Sequence, residues 1–173
     1  MTPWRTAGQD AARAKLGMLS TALQPHQQRV VDRIQRDEQP GLVVIHGLGT
    51  GKTLSSIAAA DALGLPTTAV LPASLKGNYA KELEKHGPTN IPDLATTSLQ
   101  KVTRDGGLAG PTGLMIVDEA HRVRDAASEG NKALRGVDAK KRLLLTASPT
   151  YNHPVDLSSL VNIAAGAHVL PTD

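Results

Sequence analysis

The chain of 173 residues contains no cysteine and no phenylalanine, and its aromatic side chains number one tryptophan and two tyrosines. Without cysteine, a disulfide scaffold and a thiolate zinc site are excluded. With so few rings, stacking of bases on aromatic side chains is not the main means of holding a single strand. The core must instead be built from Leu, Val, Ile and Ala. No apolar run is long enough to cross a bilayer, and the first residues lack the apolar centre of a secretory signal. A cytoplasmic protein with no membrane partner is therefore expected. The richness in Ala, Gly, Arg and Pro suits a GC-rich genome, bacterial or phage. The formal net charge is +3, which fits a polyanionic partner without requiring one.

Residues 1–20 are weakly patterned and read as an N-terminal arm, either mobile or a loose helix. From about Leu23 a rhythm begins. "QQRVVDRIQRDE" reads as an amphipathic helix with Val30, Val31 and Ile34 on one side. "GLVVIHG" reads as a buried strand, and "KTLSSIAAADALG" as a helix stopped by Gly64 and Pro66. "TTAVLP", "DLATTS", "GLMIVDEA" and "KRLLLTASP" read as further strands. "SLKGNYAKELEKHG" and "PVDLSSLVNIAAGA" read as helices, the second opening at Pro154. Alternating strands and helices predict an α/β fold, mainly parallel, with helices on both faces of the sheet. In such sheets ligands bind at the carboxyl ends of the strands. Several of those ends carry small or polar residues.

The segment "HGLGTGKTL", His46 to Leu54, follows the first strand. Glycines there let the backbone turn tightly and approach a ligand, and successive N–H groups can converge on phosphate oxygens. The following helix adds its positive end. The candidate phosphate-binding residues are Gly47, Gly49, Thr50, Gly51, Lys52, Thr53 and Leu54. Lys52 can reach the β- and γ-phosphates of ATP, and the Thr53 hydroxyl can ligand Mg2+. The strict pattern asks for glycine five positions before Gly51, where this chain has His46.

"LMIVDEAH" sets Asp118 and Glu119 at the end of another apolar run. A phosphate loop needs a carboxylate on a second strand to hold Mg2+, and Asp118 is the candidate. Glu119 can then serve as general base toward water. The competing reading is an aspartate that caps the next helix. His121 and the hydroxyls of "TASP", Thr146 and Ser148, are candidates for coupling the Mg2+ edge to the rest of the domain, or are ordinary structural residues.

Together these segments resemble the first RecA-like domain of superfamily-two helicases and translocases, most closely the Swi/Snf-like branch, over nearly everything after Leu23. "LQPHQ" resembles the adenine-recognition stretch, "HGLGTGKT" motif I, and "LPASLKGNYAKELEKH" motif Ia. "TTSLQKV" resembles motif Ib, "DEAH" motif II, and "LLLTASPTYNHPVDLSSLVNIAA" motif III with its Swi/Snf-type extension, which includes Asn152. Departures are His46 for a common acidic residue, His26 for a common tyrosine, and "TASP" for "TGTP".

The resemblance implies a RecA-like ATP-binding domain over 21–173, with ATP and Mg2+ as cofactors. It implies an adenine contact from Gln27 and catalytic roles for Lys52 and Glu119. It also implies a DNA track, duplex rather than single-stranded, gripped at its phosphates by Ser74, Lys76, Thr97 and Ser98. A second RecA-like domain, in cis or in trans, is expected to supply arginine fingers. Without them turnover falls by ~10³–10⁵-fold, so weak ATPase activity and weak DNA binding are expected of this segment alone. Lys132, Arg135, Lys140, Lys141 and Arg142 either add electrostatic pull on DNA or form a solvated face. Two other readings stand beside this one: a non-motor module that keeps the nucleotide pocket for ATP-dependent binding or regulation, and an unrelated P-loop enzyme such as a small-molecule kinase. The kinase reading leaves "LPASL" and "TASP" unexplained.

Overall fold

The computed structural model describes residues 21–46, 51–88, 90–147 and 154–172. The N-terminal arm and the predicted site residues Gly47, Gly49, Thr50 and Ser148 lie outside them, as does Asn152.

Five strands form one sheet: β1 Gly41–Ile45, β2 Thr67–Leu71, β3 Leu94–Ser98, β4 Thr112–Val117 and β5 Ala139–Thr146, in the order β1-β5-β4-β2-β3. Every neighbouring pair is parallel, with Gly41 opposite Arg142 and Ile45 opposite Thr146 at one end of the order. Among the described residues six helices accompany it: α1 Pro25–Ile34, α2 Lys52–Leu63, α3 Lys76–His86, α4 Leu99–Asp105, α5 Glu129–Arg135 and α6 Pro154–Ala165. The chain runs outward through β1, β2 and β3 and then returns through β4 and β5. Right-handed crossovers place the helices of the outward and return legs on opposite faces.

Strand alternation divides the core accordingly. Leu114 and Ile116 of β4 point to the face covered by α1 and α2, with Leu143 and Leu145 of β5 beside them. Met115, Val117 and Leu144 point to the other face, against Val102 of α4, Leu134 of α5 and Leu160 of α6. Each of these side chains is essentially inaccessible, and each such burial contributes about 1.5–3 kcal/mol. The α/β class with helices on both faces is as the sequence predicts.

Three differences have physical causes. Helix α1 begins with Pro25 in its first turn and stops at Ile34, because "RDEQP" offers no further apolar side chain to bury. Helices α4 and α5 were not anticipated. Each is a short segment started by a serine, Ser98 accepting from Lys101 N–H at 3.1 Å and Ser128 from Asn131 N–H at 3.2 Å. The third concerns β1, read as a buried strand. Among the described residues it lies at the edge of the sheet, and Ile45 is 45 % exposed. A continuous apolar run does not distinguish an edge strand flanked by two helices from an interior one. Gly41 starts this strand because a Cβ there would fall 1.9 Å from the carbonyl oxygen of Ala164. The end of α6 therefore packs directly on its backbone.

Candidate nucleotide and nucleic-acid site

Parallel pairing brings the carboxyl ends of all five strands to one rim. Helix α2 begins there, immediately after Gly51. Gly51 has φ +73°, a left-handed conformation that favours glycine. A Cβ at this position would lie 2.4 Å from Nε2 of Gln27. That nitrogen donates to the Gly51 carbonyl oxygen at 3.1 Å, while Gln27 Oε1 accepts from Gln24 N–H at 2.8 Å. The buried Gln27 carboxamide thus ties α1 to the last residue of the glycine loop.

Lys52, the first residue of α2, reaches across to the end of β4. Its ammonium lies 2.7 Å from Asp118 Oδ1 and also donates to Glu119 Oε1. The three groups are well shielded from solvent. Burial alone would lower the Lys52 pKa, but the hydrogen bonds to Asp118 and Glu119 outweigh it and hold the ammonium above its ordinary value. Burial alone would raise Glu119, but the Lys52 bond prevails and holds that carboxyl below its ordinary range. Glu119 also has φ 54°, the one non-glycine residue with positive φ among those described. Such strain persists where surrounding contacts enforce it. Here the Glu119 N–H donates to its neighbour Asp118 Oδ1 at 2.8 Å, a different arrangement from a helix cap.

His121 follows on a single 3-10 turn, Ala120–Val123. Its Nε2 lies 3.5 Å from Glu119 Oε2, and its Nδ1 lies 3.2 Å from Thr146 Oγ1 at the end of β5. Thr53 is half-buried, and its carbonyl oxygen accepts from Ser56 Oγ at 2.8 Å. Ser56 Oγ in turn lies 3.0 Å from the hydroxyl of Tyr79 on α3. Burial pushes the Tyr79 phenol up to about 12, so it stays a neutral hydrogen-bonding group. Leu54 packs its side chain into the α1–α2 core and has only main-chain groups to offer a ligand.

The structure therefore gathers Gln27, Gly51, Lys52, Asp118, Glu119, His121 and Thr146 at one rim. Among the described residues there is no group of three or more acidic, histidine or cysteine side chains able to hold a metal. One hydroxyl and one carboxylate, completed by water and phosphate oxygens, is the donor set that suits Mg2+ and not a dedicated metal cage. The residues present thus fit a cation that arrives with a nucleotide.

Two residues that the sequence left as an irregularity or a substitution prove to touch. The His26 and His46 rings meet edge to face, with centroids 5.2 Å apart. His46 is buried, and its Nδ1 has no hydrogen-bond partner among the described residues. Burial first, then the positive neighbours His26 and Lys52, hold the His46 imidazole below its ordinary value of 6.5.

Of the predicted nucleic-acid contacts, Lys76 and Thr97 line one cavity of about 560 Å3 beside β3, together with Lys101. Lys101 was not singled out from sequence; its place one helical turn after "TTS" was the available signal. Ser74 is exposed on the 3-10 turn Ala73–Leu75, and Ser98 spends its oxygen as the cap of α4. Lys140, Lys141 and Arg142 start β5, at the opposite end of the sheet. Lys141 donates to Gln39 O at 2.6 Å, and Arg142 is buried and donates to Val137 O. Neither belongs to the rim that holds Lys52.

Residues 111–168 match the family described as the SNF2-related domain. A protein of Acanthamoeba polyphaga mimivirus named as an ATP-dependent RNA helicase is 30% identical, over 90% of this chain and 35% of its own length. Residues 111–168 thus carry the SNF2-related domain match within a chain that is similar to such proteins along most of its length. The DNA repair and recombination protein RAD54 of Oryza sativa subsp. japonica is 24% identical over 92% of the chain and 22% of its own length. The Sulfolobus solfataricus SWI2/SNF2 ATPase core in complex with dsDNA superposes with a TM-score of 0.74 at 23% identity, covering 90% of this chain and 38% of that one. The chain thus has the fold of part of that ATPase core. It spans about a third or less of the length of these relatives. Among the described residues, no helix is long and apolar enough to cross a membrane.

Proposed function

We propose that residues 21–173 are the nucleotide-binding half of an ATP-dependent DNA translocase, completed by a second RecA-like half in cis or in trans. The observation that carries this reading is the Lys52 ammonium, held 2.7 Å from Asp118 and bonded to Glu119 at the start of a helix that follows a glycine loop. Lys52 binds the phosphate oxygens, Thr53 and Asp118 hold Mg2+, and Glu119 accepts a proton from water at its carboxylate. ATP with Mg2+ supplies the phosphoanhydride bond to be broken and the charge that screens it. Gln27 fixes Gly51 at the start of α2 and supplies the adenine contact. His121 and Thr146 join the carboxylates to β5.

Lys76, Thr97 and Lys101 line a groove on the same domain that also holds Asp105, which pairs with Lys101 at 2.7 Å, so Lys76 and the Thr97 hydroxyl are the groups that bind DNA phosphates, without reading sequence. The relatives named for DNA repair and the neighbour solved with double-stranded DNA support duplex DNA over single strands. A protein lacking the second half binds nucleotide and turns it over slowly.

The test is calorimetric titration of the chain with an ATP analogue and Mg2+. Lys52→Ala should weaken binding by at least about tenfold, since a charge-assisted hydrogen bond contributes about 1.5–3 kcal/mol. Unchanged affinity in that variant removes the reading.

A further inference from the structure

Tyr79 is sealed into the core on the α1–α2 face, in a chain that has two tyrosines, one tryptophan and no phenylalanine. Packing alone does not call for its hydroxyl, since burying a polar group is destabilising unless the group is bonded. This hydroxyl is bonded: it lies 3.0 Å from Ser56 Oγ on α2. Tyr79 is 2 % exposed and Ser56 0 %, so water does not compete for the bond. Ser56 has one hydroxyl hydrogen, and it donates that hydrogen to the Thr53 carbonyl oxygen at 2.8 Å. Tyr79 is therefore the donor to Ser56. The bonds run in one direction, from α3 through Ser56 to the first turn of α2.

Each end of this path meets a proposed ligand contact. Thr53 follows Lys52 in the turn that the nucleotide reading gives to Mg2+. Back-bonding of a serine to a carbonyl in the preceding turn often bends a helix, so Ser56 bears on the orientation of the Thr53 peptide. At the other end, Tyr79 stands one turn after Lys76, the first residue of α3, which lines the groove beside β3. A helical turn is stiff, so a shift of Lys76 toward a phosphate carries Tyr79 with it. The phenol also feels the rim: burial raises it most, the bond to Ser56 opposes the rise, and the Asp118 carboxylate adds to it.

We infer that Tyr79 is a positioning residue that couples the two ligand sites: through Ser56 it sets the first turn of α2, so that DNA phosphate at Lys76 and nucleotide with Mg2+ at Thr53 tighten each other's binding. This role rests on the nucleotide and DNA readings given above and adds the residue that joins them. Tyr79 is itself buried, so it acts through Ser56 and α3 and not by contact with either ligand. The coupling is reciprocal, as linked binding equilibria require.

The test uses the full chain labelled with carbon-13 at the tyrosine Cζ, a short DNA duplex, and an ATP analogue with Mg2+. Tyr79→Phe assigns the Tyr79 resonance, since the chain has two tyrosines. In the parent chain that resonance should shift when the duplex is added alone, and when the analogue is added with Mg2+. By fluorescence anisotropy the analogue should tighten duplex binding about two- to thirtyfold. Ser56→Ala with Tyr79→Phe removes both buried hydroxyls together and strands neither. That double variant should keep the parental melting temperature, while the ratio of duplex affinities with and without the analogue falls to one. A parental ratio in the double variant overturns the proposal, as does a Tyr79 resonance that ignores both ligands as they bind. Failure of the parent chain to bind the analogue overturns the nucleotide reading instead. The duplex titration then decides the link to the groove, a Tyr79 shift supporting it and a static resonance ending it.

Discussion

His121 stands 3.2 Å from Thr146, ring nitrogen to hydroxyl, and so bridges the end of β4 to the end of β5. Thr146 is fully buried, so this bond has a fixed anchor. The other ring nitrogen of His121 lies 3.5 Å from Glu119. One imidazole therefore connects the acidic pair to the strand that leads into α6.

If that bridge transmits the state of the site, Thr146→Val should leave nucleotide affinity nearly unchanged while weakening the coupling between nucleotide and DNA. The coupling is the ratio of DNA affinities with and without an ATP analogue, read by fluorescence anisotropy. A fall in that ratio of about two- to thirtyfold is expected. A ratio equal to that of the parent protein would assign Thr146 a packing role only.

Glu119→Gln keeps an acceptor for Lys52 and removes the base. In the presence of a companion RecA-like half, it should bind ATP as the parent does and release phosphate about 10²–10⁴ times more slowly. Single-turnover phosphate release measures this directly. Parent-like turnover would mean that another group deprotonates water.

Gly51→Ala forces a side chain into a left-handed backbone and against Nε2 of Gln27. The backbone cost alone is about 1–2 kcal/mol, and the tie from Gln27 to the loop is disturbed as well. Thermal denaturation should show the loss, and calorimetry should show weakened nucleotide binding. Gln27→Ala should reproduce the binding defect without the backbone strain. A Gly51→Ala protein with parental stability would contradict the described conformation.

Acid should destabilise the fold in two stages. The unfolded chain protonates His46 around its ordinary 6.5, whereas the folded chain resists protonation there. Below 6.5 the unfolded state therefore holds more protons, and stability is lost as pH falls through the folded value. Glu119 has a folded value below its ordinary 4.5, so its stabilising pair with Lys52 is lost only in more acidic solution. Urea midpoints measured between about pH 7 and about pH 5 report the first stage. His46→Asn should flatten that slope; an unchanged slope would assign it to another group.

Much of this molecule could be read before it was seen, and the reasons are local. "GLVVI", "TTAVL" and "GLMIV" are apolar, β-branched and bounded by turn residues. "KTLSSIAAADALG" carries its own stop at Gly64, which takes φ +63°. What escaped reading depended on partners distant in the chain. Helices α4 and α5 have too few apolar residues for a period to show, and they exist because Val102 and Leu134 find the same core. His46 looked like an irregularity in a glycine pattern until the fold set it against His26. Arg142 looked like one of a basic cluster, but its place on β5 buries it against Val137 O. The exposure of Ile45 could not be inferred at all, since edge position is a property of strand order.

The strand order also constrains the timing of assembly. β1 pairs with β5 alone among the described strands, and β5 is the last of these to be synthesised. Among the described strands, the glycine-loop strand is thus made first and paired last, while β2, β3 and β4 can already associate. A nascent chain paused before Ala139 would hold "GLVVI" with no backbone partner, so chaperone capture should concentrate on that interval of synthesis.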